Sequence, residues 1–419
     1  MSENKVERCV ALDTELDDMV MKMQESFAAH LQDGPAAPGT ERLFRAPGRV
    51  NLIGGHTDYN DGFVLPVAID RAIYLLGRPR PDRRVRVYSC DFQEKSRFHL
   101  DDISYDKDVE WINYLQGVAH FIQKAGYELR GFDAVIKGDV PRGAGLSSSA
   151  ALELVTGCAF NRFNELGLKP VELAHIGRRA ENDFVGVSCG IMDQFISALG
   201  RENNALYIDC RTHDFEPVPV EDSDYRIVVA NTGVEHNLAD SAYNQREQQC
   251  QEGVRYFDEW LERPISALRD VKIEELEELG DRLPPVIQRR SEHVIRENRR
   301  VKECRRALEQ NDLVRAGQLL IKSHQSLRDL YEVSCEELDL MVDLALSVDG
   351  VTGARMTGAG FGGSTVNLVH REAVEEFRQQ VAGSYQKRTG IEPDIYSSEI
   401  VSGCSRLELP PALKKGGRL

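Results

Sequence analysis

The chain has 419 residues, enough for two or three domains and for a core that needs neither disulfide nor structural metal. Apolar residues make up 41% and charged residues 29%, which excludes a wholly disordered chain. Its 52 Lys and Arg against 68 Asp and Glu leave a net charge of −16, so a phosphate backbone is repelled and no nucleic-acid partner is expected.

In chain order, residues 1–30 read as a helix, closed by the breakers Asp33-Gly34-Pro35 and Pro38-Gly39. The same N-terminal stretch lacks an apolar leader core, and no run approaches the roughly 18 residues of a membrane span. The nine cysteines lack CxxC or zinc spacing, the pattern of reduced thiols. A cytoplasmic chain with no membrane partner is the expectation. From Leu43 the text becomes strand-like, with predicted strands at Arg71–Gly77, Arg84–Ser89 and Asp133–Lys137. The last runs into a glycine- and serine-rich loop at 138–149. Ala150, Ala151, Leu154, Val155, Cys158, Ala159 and Phe163 then predict a helix. A second helix is predicted over Glu172–Asp183 and a strand over Tyr225–Asn231.

A polar, helical region covers about 238–345, with Pro264 and Pro284-Pro285 as breaks. Within it Glu274, Glu275, Glu277 and Glu278 beside Leu276 and Leu279 read as a solvated helix face. Strands return at Val366–His370 and Asp394–Ser397, with a helix at about 372–386, and the tail from Pro410 is expected to fray. Strands and helices mix without a steady βαβ rhythm, which favours α+β over a doubly wound sheet. The organisation expected is an N-terminal extension (1–40) and two domains, 41–215 and 216–419, meeting near Pro217 and Pro219.

Four segments carry chemistry. In Gly143-Ala144-Gly145-Leu146-Ser147-Ser148-Ser149 the glycines allow a ligand close to the backbone, and three hydroxyls lead into a helix N-terminus, an anion site. A tight turn with serine caps explains the same residues equally well. No lysine follows the Walker pattern. A second cluster, Gly353 to Gly363, holds a bare GxGxxG but no ribose-binding acid about 20 residues on, which excludes a dinucleotide fold. The third, Arg45–Gly62, gathers Arg49, Asn51, His56, Asp58 and Asp61 among turn residues, a donor and acceptor set suited to sugar hydroxyls. In the fourth, Cys189–Phe195, Asp193 sits between apolar residues. Its burial needs a cation or hydrogen bonds, so it is either a catalytic carboxylate or a cap.

In this order the segments resemble the GHMP small-molecule kinases, and within them the galactokinases. The match rests on PGRVNLIG, HTDYNDGFVLP, DVPRGAGLSSSAALE, CGIMDQF, LADSAYNQR, SHQSLRDLYEVSCEELD and GARMTGAGFGG, spread over about 40–405. The resemblance implies a two-domain α+β GHMP fold with the active site in the cleft between the domains. It implies ATP-dependent, Mg²⁺-assisted phosphorylation of a sugar O1, a small-molecule partner, and a monomer or weak homodimer. It makes Asp193 the catalytic aspartate with Arg49 beside it. Ser149 and Glu181 become Mg²⁺ ligands, and His56, Asp58, Gly190 and Tyr243 sugar contacts. Gly143–Ser149 would lie along the nucleotide phosphates, and Gly358–Gly362 would line the cleft.

One position departs from the family. Galactokinases carry a glutamate where this chain has Gly55, and that carboxylate accepts from the sugar 6-hydroxyl. Its loss costs about 1.5–3 kcal/mol if D-galactose binds with water in the gap. Alternatively the sugar is galacto-configured but altered at C6, as L-arabinose and D-galacturonate are. A third reading is a non-catalytic galactose and ATP sensor, against which stand Ser147–Ser149, Glu181, Arg49 and Asp193. A milder departure is Asn182, where histidine is common.

Overall fold

The computed structural model describes residues 3–31, 41–141, 143–220, 224–234 and 239–409. Its strands are β1 (Arg42–Asn51), β2 (Phe63–Val64), β3 (Pro66–Pro79), β4 (Arg84–Ser89), β5 (Glu94–His99) and β6 (Phe132–Gly138). They continue with β7 (Asn204–Asp209), β8 (Phe215–Pro219), β9 (Tyr225–Asn231), β10 (Val351–Thr357), β11 (Ser364–His370), β12 (Asp394–Ser398) and β13 (Ser405–Leu407). The helices are α1 (Glu3–Leu31), α2 (Ile112–Lys124), α3 (Ser148–Asn164), α4 (Pro170–Arg179), α5 (Met192–Leu199) and α6 (Ala239–Trp260). After them come α7 (Ile273–Leu279), α8 (Pro285–Glu309), α9 (Leu313–Ser326), α10 (Glu336–Leu346) and α11 (Val374–Thr389).

The strands form a six-stranded sheet in the order β13-β1-β3-β6-β4-β5, a four-stranded sheet β10-β11-β9-β12 and a three-stranded sheet β2-β7-β8. This is the mixed α+β architecture expected. Period-two alternation divides the first sheet's side chains between two layers. Leu43, Tyr74, Leu76 and Val135 meet Val20, Met23, Phe27 and Leu31 of α1. Their neighbours Phe44, Leu75, Ala134 and Ile136 face the other way, into a core shared with α2, α3, α4 and α5.

The second sheet is split likewise. Val228, Ala230 and Ala354 pack with α10 and α11. Ile227, Val229, Val366 and Leu368 join the first sheet's core through α9. One apolar cluster therefore spans both halves. The chain passes from the three-stranded to the four-stranded sheet between Pro219 and Tyr225. Its last strand returns, pairing Phe44 with Arg406, so β13 belongs to the first sheet.

Local signals placed most elements. β4 and β9 have the predicted bounds, and α3 begins at Ser148, directly after the loop. Pro284 precedes α8, as a helix-entry proline should. In α7 Leu276 and Leu279 are buried while Glu274, Glu277 and Glu278 are exposed, as the charge pattern implied. The helix predicted over Glu172–Asp183 differs. α4 ends at Arg179 and continues as a wider π-helical turn, Ala180–Val185, in which Glu181 is buried. Such turns often mark functional positions. The breakers at 33–39 and the tail from Pro410 lie outside the described residues.

Candidate active site

The glycine and serine loop takes the shape that its composition permits. Gly143, Gly145 and Ser147 all have positive φ, at 64°, 70° and 61°. Gly143 and Gly145 are exposed, while Ala144 and Leu146 are buried and anchor the loop. The Ser364 hydroxyl donates to the Ala144 carbonyl at 2.8 Å, and the Arg49 amide donates to the Leu146 carbonyl at 3.1 Å. A Cβ on Gly358 would come within 3.1 Å of the Gly145 carbonyl oxygen, so the second glycine cluster packs against this loop. The loop ends at the N-terminus of α3, whose first-turn N–H groups have no partner within the helix.

The serines are not simple caps. Ser147 precedes α3 but makes no side-chain capping bond. Its hydroxyl donates to Asp193 Oδ2 instead. Arg49 meets the same carboxylate with both arms of its guanidinium, Nε to Oδ1 at 2.8 Å and Nη2 to Oδ2 at 2.6 Å. Its remaining nitrogen, Nη1, donates to the Gly145 carbonyl. The cation beside the partly buried Asp193 is thus Arg49, and the pair is bonded directly to the loop.

Next to this pair lies a cavity of about 320 Å³, lined in part by Asp58, Tyr59, Asn182, Cys189, Ile191 and Tyr243. Asp58 faces Gly190, where an added Cβ would fall 2.2 Å from Asp58 Oδ2. Burial first, then the Asp193 charge, raises the Asp58 carboxyl to about 6. Burial likewise raises the Tyr243 phenol well above its ordinary value, so it remains a donor. Asn182 braces the cavity wall, exchanging hydrogen bonds with the backbone of Cys189 at 2.9 and 3.1 Å.

Both ring nitrogens of His56, expected to contact the sugar, have partners within the fold. Burial holds the ring down to about 3, so it is neutral. Nε2 lies 3.0 Å from the Ala359 carbonyl and must donate there, leaving Nδ1 to accept from the Tyr59 hydroxyl at 2.9 Å. Tyr59 in turn meets the Tyr331 hydroxyl at 2.8 Å. His56 thereby ties the sugar-type loop to the second glycine cluster.

Gly55 lies against the ends of the Arg355 and Leu327 side chains. A Cβ there would lie 2.8 Å from Arg355 Nη2 and 3.1 Å from both Leu327 methyls. The amides of Gly54 and Gly55 both donate to Glu297 Oε1, at 2.9 and 3.2 Å. The Gly55 carbonyl lies 3.0 Å from His293 Nε2.

Glu181 lies among acids. Gln194 Nε2 donates to Glu181 at 2.7 Å and to Glu153 at 3.0 Å. Burial is the largest cause lifting both carboxyls above their ordinary values, and they repel each other and Asp193. Ser149 hydrogen-bonds Glu181. Among the described residues no three His, Cys, Asp or Glu side chains form a cluster that could hold a metal ion.

Three family models match the chain: the galactokinase galactose-binding signature over 26–79, the GHMP kinases N terminal domain over 113–201 and the GHMP kinases C terminal over 304–387. The galactokinase of Chloroflexus aggregans is 51% identical over 349 residues, 83% of this chain and 89% of that protein. The chain belongs to the galactokinase family. The galactokinase of Roseiflexus sp. is 46% identical over 386 residues, 92% of this chain and 97% of its own. The crystal structure of Lactococcus lactis galactokinase complexed with galactose superposes with a TM-score of 0.86 at 39% identity, covering 91% of this chain and 98% of that one. Mevalonate kinase, at 19% identity and a TM-score of 0.58, shares the fold alone.

Sequence reading of this galactokinase-family chain passed over Tyr59, Tyr331, Glu153, Gln194 and Glu297. The first four lie inside or beside quoted motifs, where their polar side chains are the available signal. Glu297 had none, because it sits mid-helix, 243 residues from the loop it anchors.

Proposed function

We propose that this chain is an ATP-dependent sugar 1-kinase converting D-galactose to galactose 1-phosphate. The observation that carries the reading is the contact of the Arg49–Asp193 pair with both Gly145 and Ser147. A carboxylate is thus held between an anion-binding loop and a cavity that presents Asp58 and Tyr243.

The nucleotide phosphates lie along Gly143–Ser149 and the first turn of α3, where backbone N–H groups and the positive helix end favour negative charge. Asp58, Tyr243 and the Gly190 backbone take the sugar hydroxyls, and His56 holds their loop in place. Asp193 orients the O1 hydroxyl and accepts its proton as the O1–phosphorus bond forms and the bond to the departing ADP breaks. Arg49 fixes the carboxylate and faces the charge that develops on the transferred group. Because the transition state is loose, positioning and charge count for more here than a strong base.

The residues fit a Mg²⁺ ion. Glu153 Oε1 is buried with no hydrogen-bond partner among the described residues, and the Glu153 and Glu181 carboxyls lie in a buried place with only the Gln194 amide between them. Glu181 and Ser149 would hold the ion. Bound there, it would neutralise the triphosphate and complete its shell with phosphate oxygens and water.

Gly55 favours a second reading, a galacto-configured sugar altered at C6. An ADP-release assay against galactose, arabinose and galacturonate tests both. Galactose with the highest kcat/KM supports the first reading, and arabinose or galacturonate leading it replaces that reading with the second. Sugar and ATP binding without turnover refutes both and leaves a sensor.

A further inference from the structure

At the far end of α3 from the serines lies a pocket of about 660 Å³. Arg162, in its wall, is separated from Ser148 by about 21 Å of helix at 1.5 Å per residue. The pairing of Phe44 with Arg406 places Arg42, Phe44 and Arg406 on one face of the β1–β13 edge, looking toward the end of α3. Arg42, Arg162 and Arg406 all line the pocket, and Glu165 is the only carboxylate that does. The local balance is positive in a chain of net charge −16.

Only part of this has a structural explanation. Arg42 Nη1 donates to the Arg162 carbonyl at 3.1 Å and its guanidinium lies 5.8 Å from the Phe163 ring, which closes the carbonyl end of α3. Burial, then Arg406 and Arg162, hold Arg42 below its ordinary value. Among the described residues the Arg162 and Arg406 side chains make no ion pair or hydrogen bond, and both are exposed to the pocket mouth. Among the described residues the pocket is lined by three arginines and one carboxylate, and only Arg42 is engaged, by the carbonyl end of α3.

We propose that this pocket binds a small phosphate ester, its dianion held by Arg42, Arg162 and Arg406. Planar guanidinium forks match phosphate oxygens bidentately. A bare phosphate leaves most of the volume empty, whereas a phosphorylated sugar brings hydroxyls to Asn161, Glu165 and Ser405, which also line it. The site shares no residue with the Arg49–Asp193 centre, so it stands or falls apart from the catalytic reading.

The test is calorimetric titration of the full chain with a hexose 6-phosphate and, separately, inorganic phosphate. The catalytic cleft is first saturated with galactose and a non-hydrolysable ATP analogue. The expected result is one saturable site per chain, tighter for the ester than for phosphate. The exposed double variant Arg162→Glu/Arg406→Glu should raise the ester's Kd at least tenfold and leave kcat unchanged. Absence of saturable binding at millimolar ester overturns the proposal, as does an unchanged Kd in the double variant. Equal affinity for inorganic phosphate overturns the assignment to an ester.

Discussion

Asp193→Asn separates the carboxylate's chemistry from its place in the fold. The amide is isosteric. It turns its oxygen toward the position that Ser147 and Arg49 Nη2 share, keeping two of three hydrogen bonds and opposing an N–H to Arg49 Nε. One charge-assisted bond is lost, at about 1.5–3 kcal/mol. Against that, the Asp193 charge helps to raise Asp58, Glu153 and Glu181, and its removal relieves all three. Folding stability should therefore fall by about 1–3 kcal/mol, the lost bond and the uncompensated charge of the buried Arg49 being offset in part by the relieved repulsion. Turnover should fall by about 10²- to 10⁴-fold, the usual range for an acid–base group.

Two assays read this: steady-state ADP release with urea unfolding as the control, and the pH dependence of galactose affinity. In the second, the acid limb set by Asp58 near 6 should move to lower pH once its neighbour is neutral. A folded variant with turnover within fivefold of the parent removes Asp193 from proton transfer. An unmoved limb removes the electrostatic coupling.

Asp58→Asn should trade function for stability. Its folded pKa of about 6 lies above the ordinary 3.8, so the carboxylate destabilises the sugar-free fold above pH 6 and the penalty fades as pH falls toward 4. Calorimetric melting at pH 7 should show the variant stabilised by up to about 3 kcal/mol, from two pKa units at 1.36 each, with galactose affinity reduced at least tenfold. Gly190→Ala drives a methyl into the Asp58 carboxylate and should raise the galactose KM tenfold or more while ATP KM holds; an unchanged galactose KM places the sugar elsewhere. For Glu297, burial raises the carboxyl, but Arg300, His293 and Arg355 outweigh it and bring it down to about 2. Its contribution is present above pH 4.5 and is lost as pH falls toward 2. Glu297→Gln should cost about 3 kcal/mol at pH 7 by urea unfolding, in line with breaking a buried charge network.

Local chemistry was legible in the sequence. Hydrophobic alternation located β4, a continuous apolar run located β9, and a run of glycines and serines ahead of an apolar stripe announced a loop feeding α3. Those signals act over a few residues, within reach of backbone sterics and side-chain periodicity. They left open whether Ser147 caps a helix or serves a ligand, and whether Asp193 is catalytic or structural. Folding joins residues 144 apart, so that Arg49 pairs with Asp193 and Ser147 donates its hydroxyl to the same carboxylate.

The other surprises share that origin. Tyr59 and the Ala359 carbonyl meet the ring nitrogens of His56, and Glu297 anchors Gly54 and Gly55 from the middle of α8. Electrostatic pairing and desolvation depend on distance in space, and the linear text carries no measure of it. Composition and spacing determined which groups were on hand. Only packing determined which of them meet and which charges lose their water.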